Sequence, residues 1–168
     1  ALGYSSLGAN TTGDFNVAVG MYSLDANTTA DNNTAVGYQS LTANTTGDAV
    51  TAVGKDSMLS NTTGRFNSAL GYESLALNTT GANLTALGKA ALYNNTTGSS
   101  NTAVGMNAGS AITTGYENTC IGYAAGDALT TGNNNILIGQ SVDADSVSQA
   151  NAIVIGIGIT GAGNDFSF

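Results

Sequence analysis

AVGYQSLTANTTGDAVT, residues 35 to 51, is one turn of a pattern that runs through the whole chain, and its reading decides the fold. The hexapeptide ANTTGD inside it, at residues 43–48, stands letter for letter at 9–14 as well, with ANTTAD between them at 26–31. A Gly after an aliphatic residue recurs at Gly3, Gly20, Gly37, Gly54, Gly71, Gly88, Gly105, Gly122, Gly139 and Gly156, always 17 residues after the last. The ten units follow one another without insertion, and seven of them begin with Ala. Thr-Thr fills the eleventh and twelfth places in eight units, from Thr11-Thr12 to Thr130-Thr131, and Gly follows in seven, Ala30 being the exception. A unit of 17 residues is too short for two helices, or for a strand and a packed helix, with their turns. It suffices for one coil of a parallel β-solenoid, in which each coil pairs with the next.

The pattern predicts two strands per coil, one on x-N-T-A-V, as in Asn67–Leu70, and one on S-L-x-x, as in Ser74–Leu77. Gly71 and Gly81 would make the corners, where positive φ or close backbone approach is needed. Strand alternation puts Val19, Val36, Val53, Leu70, Leu87 and Val104 on one face with Thr34, Thr51, Thr85 and Thr102. This face is expected to meet Leu7, Leu24, Leu41, Met58, Leu75 and Leu92 inside the coil. The opposite face would carry Ala1, Ala18, Ala35, Ala52, Ala69, Ala86 and Ala103, then Cys120. A small apolar strip pointing away from the core predicts an oligomer around a long axis, three chains being the expected number. Residues 1–136 form eight regular coils and 137–168 two degenerate ones. Ten coils at a strand spacing of ~4.8 Å make a rod on the order of 45 Å long.

Composition agrees with an all-β reading. Only 8% of the 168 residues are charged, Gly reaches 23, and Pro and His are absent. Gly, Asn, Thr and Ser form helices poorly, and no helical apolar period is visible. The net charge is -8, with Lys55, Arg65 and Lys89 as the cations, so no basic stripe exists to neutralise phosphates or anionic lipid. No apolar run approaches the ~20 residues that span a bilayer. The sequence begins at Ala1, in mid-pattern, and is expected to be a piece of something longer. Cys120 stands where other units have Ala, which predicts a small packed residue.

The stretches NTAVGYQSLTANTTGD (33–48), NSALGYESLALNTTG (67–81) and NTAVGMNAGSAITTG (101–115) resemble the repeats of tailed-phage tail-fibre proteins. Those are similar in turn to the head repeats of trimeric autotransporter adhesins, whose N-S-x-A-I-G-x-x-S-x-A core is shorter. The resemblance covers nearly the whole chain. It implies a left-handed parallel β-roll, three chains packed into a homotrimer, and a place in the virion tail, with other tail proteins and a host-cell glycan or protein as partners. A bacterial cell-surface adhesin is the alternative. The carboxyl-terminal stretch from Asn133, with its Ile and Val, looks like the segment preceding a self-cleaving chaperone domain in many fibre proteins. That domain is expected beyond Phe168.

Several columns could carry chemistry. Asp14, Asp31 and Asp48 would stack as like charges that a divalent cation could relieve, yet neither a calcium nonapeptide nor an EF-hand pattern occurs, and a solvated turn with Asp48 near Arg65 is the plainer reading. A polysaccharide-cutting solenoid would show clustered acids breaking the repeat. The acids are scattered, so no enzyme and no cofactor is expected, and Asp143 and Asp145 are read as part of a cap. Tyr4, Tyr38, Tyr72 and Tyr123 could stack on sugars, but packing over the corner explains them more simply. A Thr-Thr array raises ice binding, although adjacent residues of a strand leave one outward rank. Asn10, Asn27, Asn44, Asn61, Asn78 and Asn95 form Asn-Thr-Thr sequons. Stacked turns account for these better than glycans do, because Asn tolerates left-handed conformations and hydrogen-bonds along a ladder of its own kind.

Overall fold

The structure, a computed structural model, describes residues 1–161, 166 and 167. Residues 162–165 and Phe168, expected in the terminal coils, lie outside the described residues. The described chain is all-β and winds as a parallel β-solenoid of about nine turns. One strand per turn comes from the N-T-A-V segment: β1 (Val17–Val19), β2 (Thr34–Val36), β3 (Thr51–Val53), β4 (Ser68–Leu70), β5 (Thr85–Leu87), β6 (Thr102–Val104) and β7 (Thr119–Ile121). After these come β8 (Ile136–Gln140), β9 (Asp143–Ala144), β10 (Ile153–Ile157), β11 (Thr160–Gly161) and β12 (Phe166–Ser167). Ten of the strands form one parallel sheet in the order β1-β2-β3-β4-β5-β6-β7-β8-β10-β12, and β9 pairs with β11. Like residues face like, Ala35 opposite Ala52 and Val36 opposite Val53.

The second strand expected on S-L-x-x is absent from the regular coils. That half of each coil is an arc of two successive turns: the Ser23 N–H donates to the Gly20 carbonyl at 3.3 Å and the Asn27 N–H to the Leu24 carbonyl at 3.3 Å. Two side chains per arc lie in the left-handed region, Gln39 at φ 52° and Leu41 at φ 55° in one coil, Glu73 at 56° and Leu75 at 52° in another. This turns alternate N–H groups toward opposite neighbours. The Gln39 N–H reaches back to the Met21 carbonyl at 3.0 Å while the Leu41 N–H reaches forward to the Ser57 carbonyl at 2.9 Å. The arc therefore stays hydrogen-bonded from coil to coil without being extended. A strand appears there only at β9 and β11, after the Asn-Thr-Thr-Gly turn has been lost.

The two corners use Gly for different reasons. Gly54 has φ 136°, and a Cβ there would lie 2.4 Å from the Gly71 carbonyl oxygen. Gly81 has no positive φ. A Cβ there would lie 2.3 Å from the Gly98 oxygen and 2.5 Å from Asn78 Oδ1, so close stacking is what favours Gly, and Ala30 is the one residue among the Thr-Thr turns that carries a methyl at this place.

The faces of the strand are the reverse of the expectation. Ala18, Ala35, Ala52, Ala69, Ala86 and Ala103 are 0–1% exposed and line the core with Leu24, Leu41, Met58, Leu75 and Leu92. They cannot be the oligomer-facing strip. The arc pushes its Leu or Met deep into a flattened coil, and only a methyl group from the sheet fits opposite. Where the arc changes, the sheet answers: at Gly126 a Cβ would meet Cys120 Sγ at 2.6 Å and Leu137 Cδ1 at 3.0 Å. Large sheet residues thus fill what Gly vacates, which maintains core density.

Candidate functional site

Turning the Ala column inward turns its neighbours outward. The Val/Leu/Ile column of the second place and the Thr/Ser column of the seventeenth stand side by side on the outer face of the sheet. Leu70 is 48% exposed and Leu87 42%. From Leu2 to Ile155 neither column contains a charged residue. Of the nineteen large apolar side chains exposed among the described residues, fourteen lie in these two columns and the Tyr column beside them. Parallel sheets are ordinarily covered on both faces, and a continuous exposed apolar surface marks an interaction site. The face also holds a depression of about 270 Å³ lined by Thr51, Ser68, Ala69, Leu70, Thr85, Ala86 and Leu87. Sequence reasoning missed this surface because it gave the face to the core. The signal available was the absence of charge from both columns.

The Tyr column lies just past the corner, and Tyr4, Tyr38, Tyr72 and Tyr123 are all exposed. Tyr4, Tyr38 and Tyr72 meet aromatic or cationic neighbours along the rod. Tyr22 meets Tyr4 and Tyr38 edge-on at 5.6 and 6.5 Å between centroids. The Lys55 ammonium lies over Tyr38 at 5.7 Å and Tyr72 at 5.2 Å, and Lys89 covers Tyr72 at 5.9 Å. Lys55 is also ion-paired to Asp56, and this hydrogen bond raises its pKa; Tyr72 is raised by its hydrogen bond to Glu73. The column is a ridge along the edge of the apolar face, with Tyr38 and Tyr72 covered by lysine.

The acidic column is a backbone device. Asp31 Oδ1 accepts the Asp14 N–H at 2.7 Å, and Asp48 Oδ1 accepts the Asp31 N–H at 2.9 Å. Asp31 and Asp48 each cap the coil before them. Among the described residues no cluster of three or more Asp, Glu or Cys has metal-binding geometry. Asp143 and Asp145 do not act as a pair: Asp143 accepts the N–H groups of Ala128 at 3.0 Å and Ala144 at 3.1 Å. Burial, chiefly, pushes its pKa up. Burial likewise pushes Cys120 up to about 12, as suits a packed thiol.

The sequon Asn residues from Asn27 to Asn95 are fully buried. Asn61 Nδ2 donates to Asn44 Oδ1 at 2.8 Å and to the Gly64 carbonyl at 3.0 Å, and Asn78 repeats this one coil on. A folded coil has no free amide to accept a glycan. The ladder stops at Asn95, whose buried Oδ1 has no partner because the next place is Ile112. The first Thr of each pair donates up the rod, Thr62 Oγ1 to the Thr79 carbonyl at 3.0 Å. The second, as at Thr63 and Thr80, is exposed. No protein-family model matches the chain, and no curated protein or solved structure matches it either.

Proposed function

We propose that three parallel copies of this chain associate through the outer face of the sheet to form a length of stiff rod, the shaft of a viral tail fibre that contributes to host-cell attachment. The role is mechanical, with no catalytic step. The observation that supports it is the uncharged, apolar face that runs the length of an otherwise acidic solenoid. Left-handed coiling, three-fold packing and a tail location rest on the resemblance of the repeats, and the head of a bacterial trimeric adhesin is the alternative on the same grounds. Native mass by light scattering at several concentrations tests the assembly. Three chains that persist on dilution are expected, and a stable monomer would overturn the reading.

One observation favours a second reading, ice binding. Thr34 and Val36, or Thr51 and Val53, point outward from the same strand, so hydroxyl and aliphatic ranks share one face. Leu70 and Leu87 interrupt its regularity. Thermal hysteresis from a monomeric chain would decide for this reading.

A further inference from the structure

We propose that Leu70 and Leu87 of one copy seat in the depression beside Ser68 of the next, a knob and socket that fix which columns meet and at what height. The inference rests on the reading that copies associate through the sheet. A second copy is the occupant for three reasons. First, the face repeats at the strand spacing over ten strands, and only a surface of equal period matches it along its length. Second, the chain carries -8, and neither column of this face has a charge for a second copy to bury or oppose. Third, a closed ring brings equal heights together, so any irregularity of one copy faces the same level of its neighbour.

That level is β4. The outward pairs of β2 and β3 are Thr-Val, but β4 has Ser68 and Leu70. Ser for Thr removes a methyl where Leu for Val adds one carbon, an exchange that conserves volume across a contact. Leu70 does not fill the gap of its own strand, since the depression stays open between Thr51, Ser68 and Thr85 on one side and Leu70 and Leu87 on the other. The added carbon and the missing one are therefore matched between chains rather than within one.

The test begins with the native mass of the unaltered chain, because a monomer overturns the copy interface and this proposal together. Given an oligomer, Ser68→Thr decides. On an uncovered strand face Thr is neutral or slightly stabilising relative to Ser. In a filled socket its methyl overpacks the contact, and dissociation on dilution should rise roughly tenfold or more. The double variant Ser68→Thr/Leu70→Val, which restores the Thr-Val pair, should recover most of that loss. An oligomer indifferent to Ser68→Thr would overturn the socket while leaving the face intact. Chains bearing Ser68→Cys, mixed with chains bearing Leu70→Cys, both in a Cys120→Ala background, should oxidise to a mixed disulfide faster than Ser68→Cys does with Val36→Cys or Val53→Cys. Fastest coupling to either of the last two would place the copies out of step and overturn the proposal, as would fastest coupling of Ser68→Cys chains to themselves, which sets Ser68 against Ser68 across the symmetry axis instead of against Leu70.

Discussion

A short row of side chains decides how each coil closes, and it does so at a cost in backbone freedom. Ala49, exposed and at φ 55°, occupies a left-handed conformation that costs an L-residue roughly 1–2 kcal/mol. Ala49→Gly should therefore stabilise the chain by up to about 1 kcal/mol after the added freedom of the unfolded state is subtracted; a thermal melt that falls would show that the Cβ has a contact of its own. Asn61 works the other way. It links the rungs on both sides and also holds the Gly64 carbonyl. Asn61→Ala strands buried acceptors, each unpaired one costing about 1–3 kcal/mol, so denaturant melts should show a loss of that order with the fold retained in the survivors. Ala52 is 0% exposed beside Met58. Ala52→Asp should thus unfold the chain and remove its β-signal in circular dichroism, rather than release folded single chains.

At the level of the strand and the turn, the period, the corner glycines, the N-T-A-V strand and the inward Leu column were legible in the sequence. The Gly column is so regular because only Gly combines φ near 136° with a carbonyl 2.4 Å from where its Cβ would stand. Gly54→Ala should accordingly abolish the cooperative melt, while Gly158, whose Cβ would meet nothing within 4 Å, should accept Ala with only a conformational cost. The inside and outside of the strand were not legible. Alternation says that Ala35 and Val36 face opposite ways but not which faces in, and the larger residue was assigned to the core. What reverses this is the arc: Leu41 at φ 55° reaches further across the coil than a strand residue would, and no local propensity announces a left-handed Leu. The β9 pairing at Asp143 gives a pH test. Its pKa is raised in the folded chain, chiefly by burial, so the protonated form suits the fold. Its contribution is full below the ordinary carboxyl range and lost as pH rises through the folded value. Wild type should lose stability relative to Asp143→Asn over that rise, and a difference in melting midpoint that stays flat with pH would place the carboxylate in water.

For the whole molecule, charge and shape work against each other. The -8 chain has three cations, one of them, Lys55, already paired to Asp56. Copies brought side by side on the proposed interface would therefore repel along their full length, while the sheet face has no ion pair to lose. The two contributions respond differently to salt. Raising ionic strength from about 0.01 M to about 1 M shortens the Debye length from ~30 Å to ~3 Å, which removes the repulsion between acidic flanks and leaves apolar burial in place. Association should tighten with salt, visible in sedimentation as a smaller dissociated fraction at fixed concentration. An assembly held by the Lys55, Arg65 and Lys89 cations against a neighbour's carboxylates would loosen over the same range. The sign of the salt effect therefore distinguishes an interface on the uncharged sheet from one in which the lysine ridge of one copy meets the aspartate column of the next, without any substitution in the chain.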